Sequence, residues 1–470
     1  MGWRSVPGSL GNFSRRGAQE MTVRPRRPAR NKILYTTDTG FPPGWMRFGF
    51  RGAAENAPAP TVRPNCGSPL KLIALQPAPE AGKSARRKKS QRQDIYVLRA
   101  GALWRDMLRA GGNEVANAPK NAVRRQVVLA PNWIGDAAMA APFFASLRAA
   151  FPEDRIEVAA VPWTTGLLSA FPWVDAVRPL DAGKWRRFFS IRPETRGERI
   201  ETLWLLPNSF RAALLGRIAG ARQRVGYASG GRGWLLTNPV PPPPESPPPH
   251  LTDAYLGLLE AEGIEPAHRS VRLPVTPEAE AFAGGLLSSE APGDGPLAGI
   301  HPGAFFGESK TWPAESYGEL ARLLADRSGA RVVILGGPDE VEVADRVAEA
   351  SGGAARSIAG KDTLATLPAL LARLGVLVSG DTGPLHIAAL VGTKTVSLFG
   401  PTDPRRTAPR GEGHRILRRE LECSPCFKRT CPLGHHRCMK DIAPEEVAGE
   451  AARMLTLSSG SKRAGAGAAK

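Results

Sequence analysis

The chain has 470 residues, 42% hydrophobic and 23% charged, with 63 Lys+Arg against 44 Asp+Glu and a net charge of +19. That length and composition allow two or three globular domains and exclude a fibrous or wholly disordered chain. The charge is concentrated: residues 1–125 hold 24 Lys+Arg and 7 Asp+Glu, hence +17 of the excess, which argues against nucleic-acid binding by the nearly neutral remainder.

Residues 1–125 carry scattered Pro and Gly, the run Arg86-Arg87-Lys88-Lys89, and little periodicity beyond a short helical stretch near Tyr96–Arg109. This composition predicts a basic, mostly disordered extension. A nucleic-acid tail, an adhesive to acidic membrane and an Arg-rich targeting segment are its functional readings; the other is an upstream extension from a misassigned start, with Met107 a possible true start. No run reaches the roughly eighteen apolar residues of a membrane helix, and the first residues lack a signal-peptide core. A cytosolic protein is expected, and the five cysteines do not make a disulfide scaffold.

Order is expected from Gln126. Val127–Ala130 reads as a strand, PNWIGD as a turn, Ala137–Ala150 as a helix and Ile156–Val161 as the next strand; Leu203–Leu206 and a helix at Phe210–Ile218 continue the alternation. Such alternation predicts an α/β domain with a parallel sheet covered by helices, Rossmann-like, over 126–275. The tract Pro239–Pro249 reads as an extended surface loop before a helix at Asp253–Glu262, and a linker is expected near Pro274–Glu278. A second Rossmann-like unit over 285–455 follows: strand Leu297–Ile300, helix Ala314–Arg327, strand Arg331–Leu335, turn Gly336-Gly337-Pro338 and helix Asp339–Ala350. Then come strand Leu374–Val378, the turn Gly380-Asp381-Thr382-Gly383-Pro384 and a helix from Leu385 to Val391. Residues 456–470 read as a disordered tail. Two such units place an interdomain crevice at the carboxyl ends of both sheets, where open parallel sheets bind ligands.

The turn at Gly383 has the layout of an anion site. The N–H groups of Thr382, Gly383 and Leu385 would gather at the positive end of the helix, with Pro384 in the first turn, and hold a phosphate. Asp136 sits where the first strand turns into its helix, and is either an N-cap or a carboxylate acting as general base on an acceptor hydroxyl. Lys310, the only cation of loop 301–313, is either solvated or a point-charge contact for a pyrophosphate, with Ser309 and Thr311 adding hydroxyl donors. His386 falls in the first turn after Gly383, as a structural residue or aimed at the anion. Asp381 is placed to bind sugar hydroxyls or to fix its loop through backbone N–H groups.

CSPCFKRTCPLGHHRC gathers Cys423, Cys426, Cys431 and Cys438 beside His435 and His436. The spacings lack the second CxxC or HxxxH of standard zinc fingers. A compact loop of small buried thiols is expected, with zinc on the four cysteines the alternative. Glu340 reaches a ribose or caps its turn. Lys184, Arg186, Arg187, Arg192, Arg196 and Arg199, with Trp185, Phe188 and Phe189, form either a solvated amphipathic face or a surface for an anionic glycolipid.

Taken together, PNWIGDAAMAAPFFASLR, LPNSFRAALL, HPGAFFGESKTWP and SGDTGPLHIAALVGTKTVSLFGPTDP resemble the bacterial lipopolysaccharide heptosyltransferases of glycosyltransferase family nine, over about residues 126–455. The resemblance implies a GT-B fold with an N-terminal acceptor domain and a C-terminal nucleotide-sugar domain. It implies inverting, metal-independent transfer of L-glycero-D-manno-heptose from ADP-heptose to the lipid A-core acceptor, with no cofactor and with peripheral contact at the cytoplasmic face of the inner membrane. The HPGA loop, the PNSF segment and the Cys-rich stretch resemble the branch that adds the second heptose to the first. Residue by residue, the family's base matches Asp136, its phosphate lysine matches Lys310, and its donor-binding group matches Asp381, Thr382, Gly383 and His386.

Addition of the first heptose, or another transfer within the family, is the alternative among enzymes. Outside enzymes, a non-catalytic nucleotide-binding module would keep the Gly383 turn without requiring Asp136, and a nucleic-acid binder would need positive charge in the folded part.

Overall fold

The computed structural model describes residues 124–180, 199–303 and 307–456 in full, with the backbone of 457–466 and of four strands nearer the N-terminus. The chain divides into two units, Met1–Ala116 and Asn117–Lys470. In the first, β1 (Glu20–Thr22), β2 (Lys32–Tyr35), β3 (Trp45–Phe50) and β4 (Ile95–Arg99) pair antiparallel in that order. The helical reading from Tyr96 is corrected here, since the β-branched and aromatic run Ile95-Tyr96-Val97 favours the strand it forms. The rest of that stretch, Arg86–Lys89 and Met107 lie outside the described residues.

The second unit opens at β5 (Arg125–Leu129), followed by α1 (Ile134–Met139), α2 (Ala141–Ala150), β6 (Arg155–Ala160), β7 (Ala176–Pro179), β8 (Ile200–Leu205), α3 (Phe210–Ala219), β9 (Gln223–Tyr227), β10 (Asn238–Val240) and α4 (Leu251–Ala261). The strands form one parallel sheet in the order β10-β9-β8-β5-β6-β7. Its central strand β5 is buried throughout although it begins Arg125-Gln126. The Arg125 guanidinium is paired in fork geometry with Glu157 of β6, at 3.1 and 2.7 Å, and Gln126 joins Asp154 and the indole of Trp204. Buried charges persist only when matched in this way.

The single helix expected over Ala137–Ala150 is broken into α1 and α2. Ala140 turns its N–H to both Asp136 and Ala137, and Pro142 has no N–H to continue the ladder.

After α5 (Pro277–Glu290) the alternation restarts with β11 (Leu297–His301), α6 (Ala314–Ser328), β12 (Arg331–Ile334), α7 (Val341–Ala350), β13 (Ala355–Ser357), α8 (Leu367–Ala372), β14 (Val376–Gly380), α9 (Gly383–Leu390), β15 (Thr395–Phe399), α10 (Pro404–Thr407), β16 (His414–Arg418) and α11 (Pro444–Ala466). This sheet is also parallel, in the order β13-β12-β11-β14-β15-β16. The backbone of α11 runs to Ala466, into the stretch expected as a disordered tail, and no proline after Pro444 interrupts it.

One hydrophobic core runs through both halves, from Phe143, Phe144 and Trp204 to Leu370, Ile387 and Ala388. Separate clusters cover the far face of each sheet. Further polar ties join the halves: His250 Nε2 lies 3.1 Å from the Ala408 carbonyl oxygen, and Asp253 pairs with Arg410.

Candidate active site

The strand–turn–helix units β5–α1 and β14–α9 place their helix starts against each other. A methyl group on Gly135 would lie 2.7 Å from His386 Cδ2, and one on Gly383 would lie 2.9 Å from Ile134 Cγ2. Only residues without a side chain allow this approach. The seam brings Asp136 beside His386, Asp381, Lys310 and Arg406.

Asp136 occupies the third position of α1. Its N-cap reading is corrected, because Trp133 is the N-cap and no side chain caps this helix. Burial raises the Asp136 pKa to about 6, with Asp381 adding to the rise and His386, Lys310 and Arg406 opposing it. A carboxyl group tuned to that value accepts a proton readily near neutrality.

Asp381 anchors the facing turn. Its carboxylate accepts from Lys310 Nζ at 2.7 Å, Thr402 Oγ1 at 2.8 Å and Thr407 Oγ1 at 3.2 Å, and lies 3.3 Å from His386 Nε2. Burial opposes ionisation, but the His386 hydrogen bond and the charge of Lys310 prevail and hold the carboxyl well below the usual carboxylate range. Asp381 therefore fixes its turn through side chains rather than through the backbone N–H groups expected. Lys310 also donates to the Asp381 carbonyl at 2.8 Å, which places its charge beside the start of α9.

Thr382 is the N-cap of α9 but makes no side-chain cap. Its hydroxyl lies 3.0 Å from Ser379 Oγ and 3.3 Å from His301 Nδ1, and His301 Nε2 lies 3.3 Å from Glu340 Oε2. Glu340 also accepts from Gly337 N at 2.8 Å, so the turn-capping alternative is the one formed. The first N–H groups of α9 lack intrahelical carbonyl partners by construction and point out of the helix start.

Ser309 and Thr311 follow the strand end on the same loop as Lys310. Ser309 is buried, donating to the Lys428 carbonyl at 2.5 Å while its N–H bonds Arg429 O at 3.0 Å, so its hydroxyl hydrogen is used within the protein. Thr311 is half-buried and closes a 3-10 turn through its N–H to Glu308. Sequence reasoning missed Arg406, which stands exposed on α10 with its charge near Asp136. The available signal was Asp403-Pro404 capping a short helix just past a strand end. It also left His301 unassigned within the HPGA motif.

The cysteine loop packs behind Ser309. Cys423, Cys426, Cys431 and Cys438 are free thiols around one small cavity shared with Pro401, Ser309 and His435. Only Cys438 is buried, which corrects the expectation of buried thiols throughout. Among the described residues no three His, Cys, Asp or Glu side chains are arranged to hold a metal ion. The cluster from Lys184 to Arg196, with its aromatics, lies outside the described residues.

The model of glycosyltransferase family 9 (heptosyltransferase) matches residues 189–437. Lipopolysaccharide heptosyltransferase 2 of Salmonella typhimurium is 30% identical over 346 residues, spanning 70% of this chain and 98% of that protein. Lipopolysaccharide heptosyltransferase 1 of Pseudomonas aeruginosa is 33% identical over 141 residues, 29% of this chain and 39% of that one. Among solved structures, the ADP-heptose lipopolysaccharide heptosyltransferase II of E. coli superposes with a TM-score of 0.60 at 28% identity, covering 72% of this chain and all of that one.

Proposed function

Because this chain belongs to glycosyltransferase family 9, the heptosyltransferases of lipopolysaccharide core assembly, we propose that it adds the second heptose to the first, with inversion, using Asp136 as the base. It is a GT-B enzyme that takes heptose from a nucleotide-heptose donor to a lipopolysaccharide acceptor. The observation that carries the proposal is the seam itself: Asp136, with its pKa of about 6, faces the start of α9 across the Gly135–His386 contact.

In the proposed step the acceptor hydroxyl oxygen bonds to the anomeric carbon from the face opposite ADP, and the bond from that carbon to the pyrophosphate oxygen breaks. The hydroxyl proton passes to Asp136. Charge developing on the leaving pyrophosphate meets the N–H groups of α9, Lys310 and Arg406, so the step is written without a divalent cation. Asp381 holds Lys310 and His386 in place, and Glu340, through His301 and Thr382, supports the same turn from below. Among the described residues no helix is long and apolar enough to cross a membrane; we infer peripheral contact with the cytoplasmic face of the inner membrane, where the lipid-anchored acceptor lies.

The test is a transfer assay with ADP-heptose and truncated lipopolysaccharides carrying one heptose or none. Transfer to the one-heptose acceptor alone is expected; use of the heptose-free acceptor would assign the first addition instead. Asp136→Ala is expected to abolish transfer while ADP still binds, and loss of both would remove the base assignment.

A further inference from the structure

Four large aromatic side chains stand exposed along one edge of the N-terminal sheet. Trp133 (43% exposed), Trp163 (57%), Phe210 (44%) and Trp234 (59%) follow the carboxyl ends of β5, β6, β8 and β9 respectively. These strands are parallel neighbours in the order β9-β8-β5-β6, so the rings are arranged as Trp234, Phe210, Trp133, Trp163 along the edge. Trp133 is the N-cap of the helix that carries Asp136.

The row is built rather than incidental. Arg232 is fully buried and spends its guanidinium joining two loops: it donates to Tyr227 O at 2.8 Å at the end of β9, and to Pro207 O at 2.5 Å, Ser209 O at 3.1 Å and Asn208 Oδ1 at 3.2 Å after β8. Burial lowers its pKa to about 10. Gly230 and Gly231, at φ 58° and 71°, turn the β9 loop back so that Arg232 lies beneath it. The result fixes Phe210 and Trp234 with ring centroids 6.0 Å apart. At the other end, Trp163 Nε1 donates to Asn132 O at 2.8 Å and ties the β6 loop to the β5 loop beside Trp133.

We propose that this row is the binding platform for the acceptor saccharide, its rings stacking on sugar faces so that the reactive hydroxyl is delivered to Asp136; this rests on the transferase reading above. Rigid aromatic faces interleaved with hydrogen-bonding groups suit a sugar, which presents apolar C–H faces and a rim of hydroxyls. Exposed Asn132 and Asn208 stand on the same loops, next to Trp133 and two residues before Phe210, and among the described residues of these four loops Arg211 is the only exposed cation. An anionic bilayer surface would call for more.

The experiment uses the full chain with Trp163→Ala, Trp234→Ala and the control Phe282→Ala, an exposed aromatic on α5. Steady-state kinetics vary ADP-heptose and a one-heptose lipopolysaccharide separately, and intrinsic fluorescence is titrated with the delipidated core saccharide. The expected result is an acceptor KM raised about tenfold or more in both tryptophan variants, with the donor KM and circular dichroism unchanged, and saccharide binding weakened in parallel. An unchanged acceptor KM overturns the proposal. So does equal loss of binding to anionic vesicles with saccharide binding intact, which would assign the row to the membrane. If the wild-type chain binds the saccharide yet transfers no heptose, the platform stands and the transferase reading fails.

Discussion

Gly135 in the N-terminal half meets His386 in the C-terminal half so closely that a single methyl group at Gly135 would come within 2.7 Å of the imidazole. In Gly135→Ala, better helix propensity offers about 1 kcal/mol, while overpacking against a well-filled contact costs about 1–3 kcal/mol. Stability should therefore fall by no more than about 2 kcal/mol. His386 must move, however, and its contact with Asp381 at 3.3 Å is lost. Displacements of about 1 Å at a reacting centre cost on the order of a hundredfold, so kcat should fall by roughly that factor while Tm falls by no more than about 8 °C. Retained activity would show that the seam does not position the chemistry.

The raised pKa of Asp136 makes two opposite demands. As a base it must be ionised, so kcat/KM should fall about tenfold per pH unit below about 6. For stability the sign is reversed: the folded value lies above the ordinary 3.8, so the folded state favours the protonated form and loses stability as pH rises from about 4 to 6. Asp136→Asn removes that loss. The variant should be inactive yet about 1–3 kcal/mol more stable than wild type at pH 7, read by denaturant unfolding. An inactive variant that is also less stable would contradict the origin given for the shift.

The parallel sheets and the Gly383 turn were legible because their signals are local: short apolar runs, polar residues massed at strand ends, proline in a first helical turn. Boundaries shifted by a residue or two, and α1 and α2 separated at Ala140 through the missing N–H of Pro142. What could not be read was whatever depends on distances between loops. Asp381 joins Lys310, Thr402 and Thr407 across 71, 21 and 26 residues of chain, and Arg125 finds Glu157 across 32. Ser309 shows the same limit, since a hydroxyl beside a proposed phosphate lysine finds its partner in Lys428 O, across 119 residues of chain.

Ser309 offers a direct discrimination. Its hydroxyl bonds Lys428 O, so Ser309→Ala removes that bond and should destabilise by about 0.5–1.5 kcal/mol. Because the cysteine loop then loosens behind Lys310, the donor KM should rise only a few-fold, recovering in Ser309→Thr if the added methyl is accommodated. A large loss of ADP affinity with unchanged Tm would return Ser309 to the donor site.

His250 bridges the halves in its neutral form. Its Nδ1 accepts from Thr252 N at 3.2 Å, which leaves Nε2 to donate to Ala408 O at 3.1 Å. Burial, reinforced by the charge of Arg410, lowers its pKa to about 4. The unfolded chain, titrating near 6.5, then takes up the proton first, and stability should fall by about 3 kcal/mol between pH 6.5 and 4. In His250→Gln that part of the slope should vanish in thermal unfolding followed across this window. An identical slope in the variant would place the acid sensitivity elsewhere.

The four clustered thiols are chemically unequal, and this can be read directly. Cys431 is held below the usual thiol range, chiefly by hydrogen bonding from the His436 backbone N–H and further by those of Leu433, Gly434 and His435, although burial opposes it. Cys438 is raised by burial and by the neighbouring Cys426, Cys431 and Cys423. Thiolate content governs alkylation, so limiting iodoacetamide at pH 7 should label Cys431 first and Cys438 last, followed by peptide mass spectrometry. Labelling at the half-buried Cys431 alone should raise the donor KM only a few-fold, as loosening of this loop does, whereas Cys438, packed beside Gly400 at the end of β15, should react only as activity is lost. Early labelling of Cys438 in fully active enzyme would show that this loop opens independently of the site.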